Sequence, residues 1–64
     1  MINEELRKKR EDAKLTQNDV AQLLQVSTQS ISKWERGEAF PSIEYLPKLA
    51  KIYGCAIDDF FYLL

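Results

Sequence analysis

The chain has 64 residues, nine Lys or Arg against ten Asp or Glu, a formal net charge of −1, no histidine, two glycines and one cysteine. This length suits one small domain (1–64) that buries about 60% of its unfolded surface, and the 45% hydrophobic content argues for a folded core over disorder. Without histidine, a second cysteine or a glycine-rich loop, the usual zinc sites, nucleophile–base triads, internal disulfides and phosphate loops are excluded, so no catalytic residue, metal ligand or cofactor is expected.

The hydrophobic spacing predicts five helical segments and no strands, an all-α fold. The first helix runs from about Glu4 to Ala13, with Asn3 as N-cap and Glu4 and Glu5 suited to the positive end of the helix dipole. Ile2, Leu6, Arg10 and Ala13 share one face. An arginine in an apolar stripe requires a partner. The second helix starts at Thr16, which forms with Asp19 a variant of the capping box, and Val20, Leu23 and Leu24 supply its buried side.

Ser27 caps the third helix, whose working part spans about Thr28 to Arg36 and which stops at Gly37. Ile31 and Trp34 face inward, while Thr28, Gln29, Ser32 and Lys33 share the opposite side. Ser42 is the expected cap of the fourth helix, Ile43 to Tyr53, which ends at Gly54. Pro47 predicts an irregular first turn from Ile43 to Leu46, since a proline in a helix interior costs about 3 kcal/mol. Asp58 and Asp59 open a short fifth helix carrying Phe60, Phe61 and Leu64. One or two residues of the apolar ending Phe60 to Leu64 complete the core, and the others are available to a second subunit or a following domain.

Two short capped helices joined by a tight turn, Leu15 to Gly37, form the layout of a helix-turn-helix, whose second helix lies in the DNA major groove. Gln29 can pair with adenine N6 and N7, and Lys33 can donate to guanine O6 or N7. Thr28 and Ser32 can bond to bases or phosphates, and Gln17, near the start of the preceding helix, is placed to meet a phosphate. Lys33 and Arg36 bring positive charge to the end of the reader helix. For each of these side chains the bland alternative is a solvated helix face. For Trp34 the alternatives are core residue and base-stacking platform, and its place on the Ile31 side favours the core.

The segments Leu15-Thr16-Gln17, Val20-Ala21, Leu24, Val26-Ser27, Ile31-Ser32, Trp34-Glu35 and Gly37 resemble the phage-repressor (Xre/Cro) helix-turn-helix family. The likeness continues through Pro41, Leu46, Leu49-Ala50, Gly54 and Ile57-Asp58-Asp59-Phe60. The resemblance implies a five-helix domain of the lambda-repressor type that binds double-stranded operator DNA as a homodimer on a near-palindromic site. It implies DNA contacts from the positions of Gln17, Thr28, Gln29, Ser32 and Lys33. It also implies a structural ion pair between Arg10 and Glu35, against which stands a contact from Arg10 to DNA phosphate. One departure is Gln25, where the family often has glycine because the turn there can require a positive φ.

The expected function is therefore a sequence-specific DNA-binding transcriptional regulator, most simply a repressor. The alternative is a protein-interaction module of the same fold, of antitoxin or adaptor type, motivated by the net acidity and the apolar ending. The sequence can equally be the DNA-binding part of a longer regulator. No apolar run approaches the ~20 residues that span a bilayer, Glu4 to Lys14 is too charged for a signal peptide, and a lone Cys55 suits a reducing compartment, so a cytoplasmic protein without membrane contact is expected.

Overall fold

The computed structural model describes residues 2–60. Four α-helices follow one another, α1 (Ile2–Asp12), α2 (Gln17–Leu24), α3 (Thr28–Arg36) and α4 (Tyr45–Tyr53), and a 3-10 turn spans Ile57–Phe60. Among the described residues there is no strand. The fifth segment is thus a single 3-10 turn. There Asp59 accepts a hydrogen bond from the Ala56 amide at 3.0 Å and Phe60 is buried. The expectations for Phe61 and Leu64 lie outside the described residues.

Leu6, Val20, Ala21, Leu24, Ile31, Trp34, Leu49, Ala50 and Phe60 form one core. Every helix contributes to it, and α3 is packed chiefly against α1 and α2. Trp34 is 8% exposed, and its ring lies 5.6 Å from that of Tyr45, so it is a core residue and not a free stacking surface. Leu23 departs from expectation, being 60% exposed. At ~100° per residue it projects roughly 100° away from the centre of the Val20, Ala21 and Leu24 stripe.

Local signals set the helix-turn-helix. The Thr16 hydroxyl accepts from the Asp19 amide at 3.0 Å, and the Asp19 carboxylate accepts from the Thr16 amide at 2.9 Å. The Thr16 amide holds the Asp19 carboxyl below its ordinary range, so this cap is complete at neutral pH and weakens as acid protonates Asp19. The Ser27 hydroxyl caps α3 by accepting from the Ser30 amide at 3.1 Å.

Two helix starts differ from the sequence reading. Asn3 does not precede α1 but lies inside it, because Ile2 packs against the core and Asn3 sits beside Gly37. Ser42 does not cap α4 through its side chain. Glu44 occupies the cap position without a side-chain hydrogen bond, and the chain enters through Tyr45 N–H to Ser42 O (2.9 Å) and Leu46 N–H to Ile43 O (3.2 Å). Pro47 thereby becomes the third residue of α4, where its missing amide removes no intrahelical bond. The irregularity expected before Pro47 is this turn.

All four α-helices end alike. Lys14, Gln25, Gly37 and Gly54 adopt left-handed φ values of 60°, 60°, 77° and 69°. The next amide in each case reaches back five residues: Leu15 to Arg10, Val26 to Ala21, Glu38 to Lys33 and Cys55 to Ala50, at 2.9 to 3.2 Å. This double closure satisfies carbonyls that would otherwise be left open. At Lys14 and Gln25 it is bought with backbone strain of about 1–2 kcal/mol each. Replacing Gln25 with glycine should therefore stabilise the domain by about 0.5–1 kcal/mol, after glycine's greater loss of chain entropy, whereas Gly37→Ala should destabilise it by at least about 1 kcal/mol. Thermal melts of the two variants should move in opposite directions.

Candidate nucleic-acid interface

Helix α3 is held from below by a polar cluster. Arg10 Nε donates to Glu35 Oε2 at 2.7 Å, and its Nη2 donates to Glu35 Oε1 at 3.1 Å. The third arm of the guanidinium, Nη1, donates to the Leu15 carbonyl at 2.8 Å. Gln17 Nε2 also donates to Glu35 Oε1, at 3.1 Å. One carboxylate on α3 thus gathers α1 and the first residue of α2, and Arg10 ties in the turn between them. The Glu35 side chain is 4% exposed and that of Arg10 is 13% exposed. Glu35 raises the Arg10 pKa further, first through their hydrogen bond and then through its charge. Burial, with Glu35 close by, raises the Tyr53 hydroxyl well above its ordinary value.

The outer face of α3 divides into parts. Gln29 and Lys33 are exposed, one turn apart, and neither side chain has a hydrogen bond or ion pair among the described residues. Thr28, also exposed, donates from Oγ1 to Asn18 Oδ1 at 3.2 Å, tying the start of α3 to α2. Ser32 is half-buried and accepts from Arg36, which in turn is paired with Glu38. Gln17 lies apart from this face in its bonding. One of its two amide N–H donors is committed to Glu35, which leaves the second, together with its backbone N–H in the first turn of α2.

Arg7 pairs with Glu11 at 3.3 Å, Lys9 with Glu5 at 3.8 Å and Arg10 with Glu35, so most of the early cations are neutralised within the domain. Asn18 and Glu38 were not singled out in the sequence. A polar residue within a helix carries no specific signal. Glu38 comes near Arg36 only because Gly37 turns the chain back.

Among the described residues there is no group of three His, Cys, Asp or Glu side chains placed to hold a metal ion. No helix of the described residues is long and apolar enough to cross a membrane.

Removing one partner of a buried pair strands the other's charge. Glu35→Ala should therefore cost about 3–5 kcal/mol in a denaturant titration, because Arg10 and Gln17 both lose their acceptor. Arg7→Ala, which breaks an exposed pair, should cost under about 1 kcal/mol.

A helix-turn-helix family model matches residues 6–60. The chain is 40% identical over 58 residues to the HTH-type transcriptional activator BcrR of Enterococcus faecalis, covering 91% of this chain and 28% of that protein. It is 38% identical over 55 residues to the HTH-type transcriptional regulator DicA of Escherichia coli, covering 86% of this chain and 41% of that protein. An uncharacterized HTH-type transcriptional regulator of Methanocaldococcus jannaschii is 45% identical over 47 residues, or 73% of this chain and 71% of that protein. The chain therefore spans well under half the length of the first two relatives. No solved structure matches it significantly. With the capped α2 and α3, the core-facing Trp34 and a family match over nearly its whole length, the chain belongs to the Xre/Cro-type helix-turn-helix family.

Proposed function

We propose that the domain is a sequence-specific double-stranded DNA-binding module of a transcriptional regulator, reading the major groove with Thr28–Arg36. The observation that carries this reading is the pairing of a locked inner face with an unengaged outer one. Ile31, Trp34 and Glu35 are buried on one side of α3, while Gln29 and Lys33 project from it one turn apart with no internal hydrogen bond or ion pair among the described residues. Gln29 supplies the donor and acceptor that adenine needs, and Lys33 the donor for guanine. Thr28, Ser32 and Arg36 border these two positions. The first-turn amides of α2, with Gln17, offer a site for a backbone phosphate. The relatives' names point the same way, since all three are named transcriptional regulators or activators.

The module works as a homodimer on a near-palindromic operator in the cytoplasm. Two copies of a domain 28 × 24 × 21 Å fit on successive DNA turns, about 34 Å apart, without overlap. The simplest output of a DNA-bound module is steric occlusion, which is repression. One relative is named an activator, so the sign of regulation depends on where the site lies. No membrane, cofactor or catalytic step enters this reading.

A second reading, a protein-interaction module of antitoxin or adaptor type, is favoured by Phe40 and Ile43, which are 70% and 84% exposed. Gln29→Ala and Lys33→Ala separate the two. A DNA reader should lose about 1–3 kcal/mol of operator discrimination per lost base contact. Wild-type affinity should also fall linearly with salt on logarithmic axes, with a slope of about −0.9 per phosphate contacted. Full activity in both alanine variants with a flat salt response would favour the interaction module.

A further inference from the structure

The four helix ends share one backbone motif but differ in the residue that follows the left-handed position. Leu15, Val26 and Cys55 are half-buried there and packed against the core, the apolar contact that commonly accompanies this motif. At the end of α3 the same position holds Glu38, which is exposed. Its backbone is fixed by the 2.9 Å bond from its amide to Lys33 O, and its side chain turns back onto the last turn of the reader helix. Arg36 Nε donates to Glu38 Oε2 at 2.7 Å and Arg36 Nη2 to Glu38 Oε1 at 3.2 Å, while Nη1 donates to Ser32. Each nitrogen of the guanidinium is thereby engaged once, and the two-point edge formed by Nε and Nη2 is taken by Glu38. Arg36 keeps the Glu38 carboxyl below its ordinary range, first by hydrogen bonding, so the carboxylate is charged at neutral pH.

A guanidinium fork fits a carboxylate and a phosphate in the same two-point geometry. We propose that Glu38 is an internal competitor for DNA phosphate, occupying Arg36 so that the end of the reader helix attracts nucleic acid weakly. The inference rests on the DNA-binding reading above. In a complex formed without the right bases, Arg36 either stays with Glu38 and makes no two-point phosphate contact, or leaves it and strands a carboxylate next to the DNA. Both outcomes lower background affinity. Glu38 therefore makes binding depend on Gln29 and Lys33, in keeping with a domain whose net charge is −1.

The test is a salt titration of wild type, Glu38→Gln, Arg36→Ala and the double variant on a labelled random-sequence duplex, followed by fluorescence anisotropy. Asp58→Asn, which removes a carboxylate from the 3-10 turn, controls for net charge. The Arg36–Glu38 side chains are 53% and 54% exposed, so these variants should fold, which circular dichroism checks. Glu38→Gln should bind roughly threefold to tenfold more tightly per subunit at low salt, with a salt slope steeper by about 0.9. The gain should vanish in the Arg36→Ala background, and Asp58→Asn should show none of it. Binding by Glu38→Gln that is equal to or weaker than wild type overturns the proposal. So does a gain that persists in full without Arg36, or one that Asp58→Asn reproduces. If no variant, wild type included, binds any duplex, the DNA-binding reading fails and this inference falls with it. A wild type that binds while Glu38→Gln gains nothing overturns the inference alone.

Discussion

The ion pair between Arg10 and Glu35 is the contact on which the rest of the structure depends. It joins residues 25 apart in sequence and lies beneath the helix-turn-helix, with carboxylate and guanidinium meeting at 2.7 and 3.1 Å. Helices as short as α2 and α3, eight and nine residues, are marginal in isolation, and their orientation has to come from what lies under them. The apolar contacts of Ile31 and Trp34 supply adhesion but little angular definition. Glu35 supplies direction, because its oxygens accept from α1 and from the start of α2 at once. Such a buried pair gains little net stability over well-packed apolar residues, yet breaking it is costly. Its value here is a defined angle between α3 and the elements that flank it.

The polar residues of the domain fall into two populations. Arg10, Gln17, Glu35, Thr16, Asp19 and Ser27 are turned inward or into caps and organise backbone and helices. Gln29 and Lys33 make no internal hydrogen bond or ion pair among the described residues, and Arg36 is engaged by its near neighbours Glu38 and Ser32. A domain with such a small unengaged face and a net charge of −1 has little means of attracting nucleic acid generally. Selectivity in this account comes from where the few available donors stand, which returns the argument to the brace that sets the angle of α3.

The features legible in the sequence were the local ones. The Thr16–Asp19 box and the Ser27 cap are spelled out within four residues each, and the inward pair Ile31 and Trp34 follows from helical spacing. Arg10 announced a need for a partner, but only the family resemblance pointed to Glu35. Features that depend on three-dimensional placement were missed or misread. Leu23 has the composition of a core residue but the wrong angle. Asn3 has the composition of a cap, yet it lies within α1 with its side chain beside Gly37. Ser42 was read as a cap, whereas the chain enters α4 through a backbone turn that accommodates Pro47. Lys14 in a left-handed conformation carries no sequence signal, since lysine has no preference for it. The Arg36–Glu38 contact was hidden for a related reason: residues two apart meet only when the chain between them reverses.

A buried electrostatic constraint thus sets the surface that α3 presents, and the proposed reading of duplex DNA depends on that surface. Selection of bound sites from a random duplex library, using the wild-type protein, tests that link most directly. A homodimeric reader should enrich two inverted half-sites with centres about one DNA turn, ~34 Å, apart, and with adenine and guanine in fixed positions within each. Recovery of sequences no different from the starting library would contradict it.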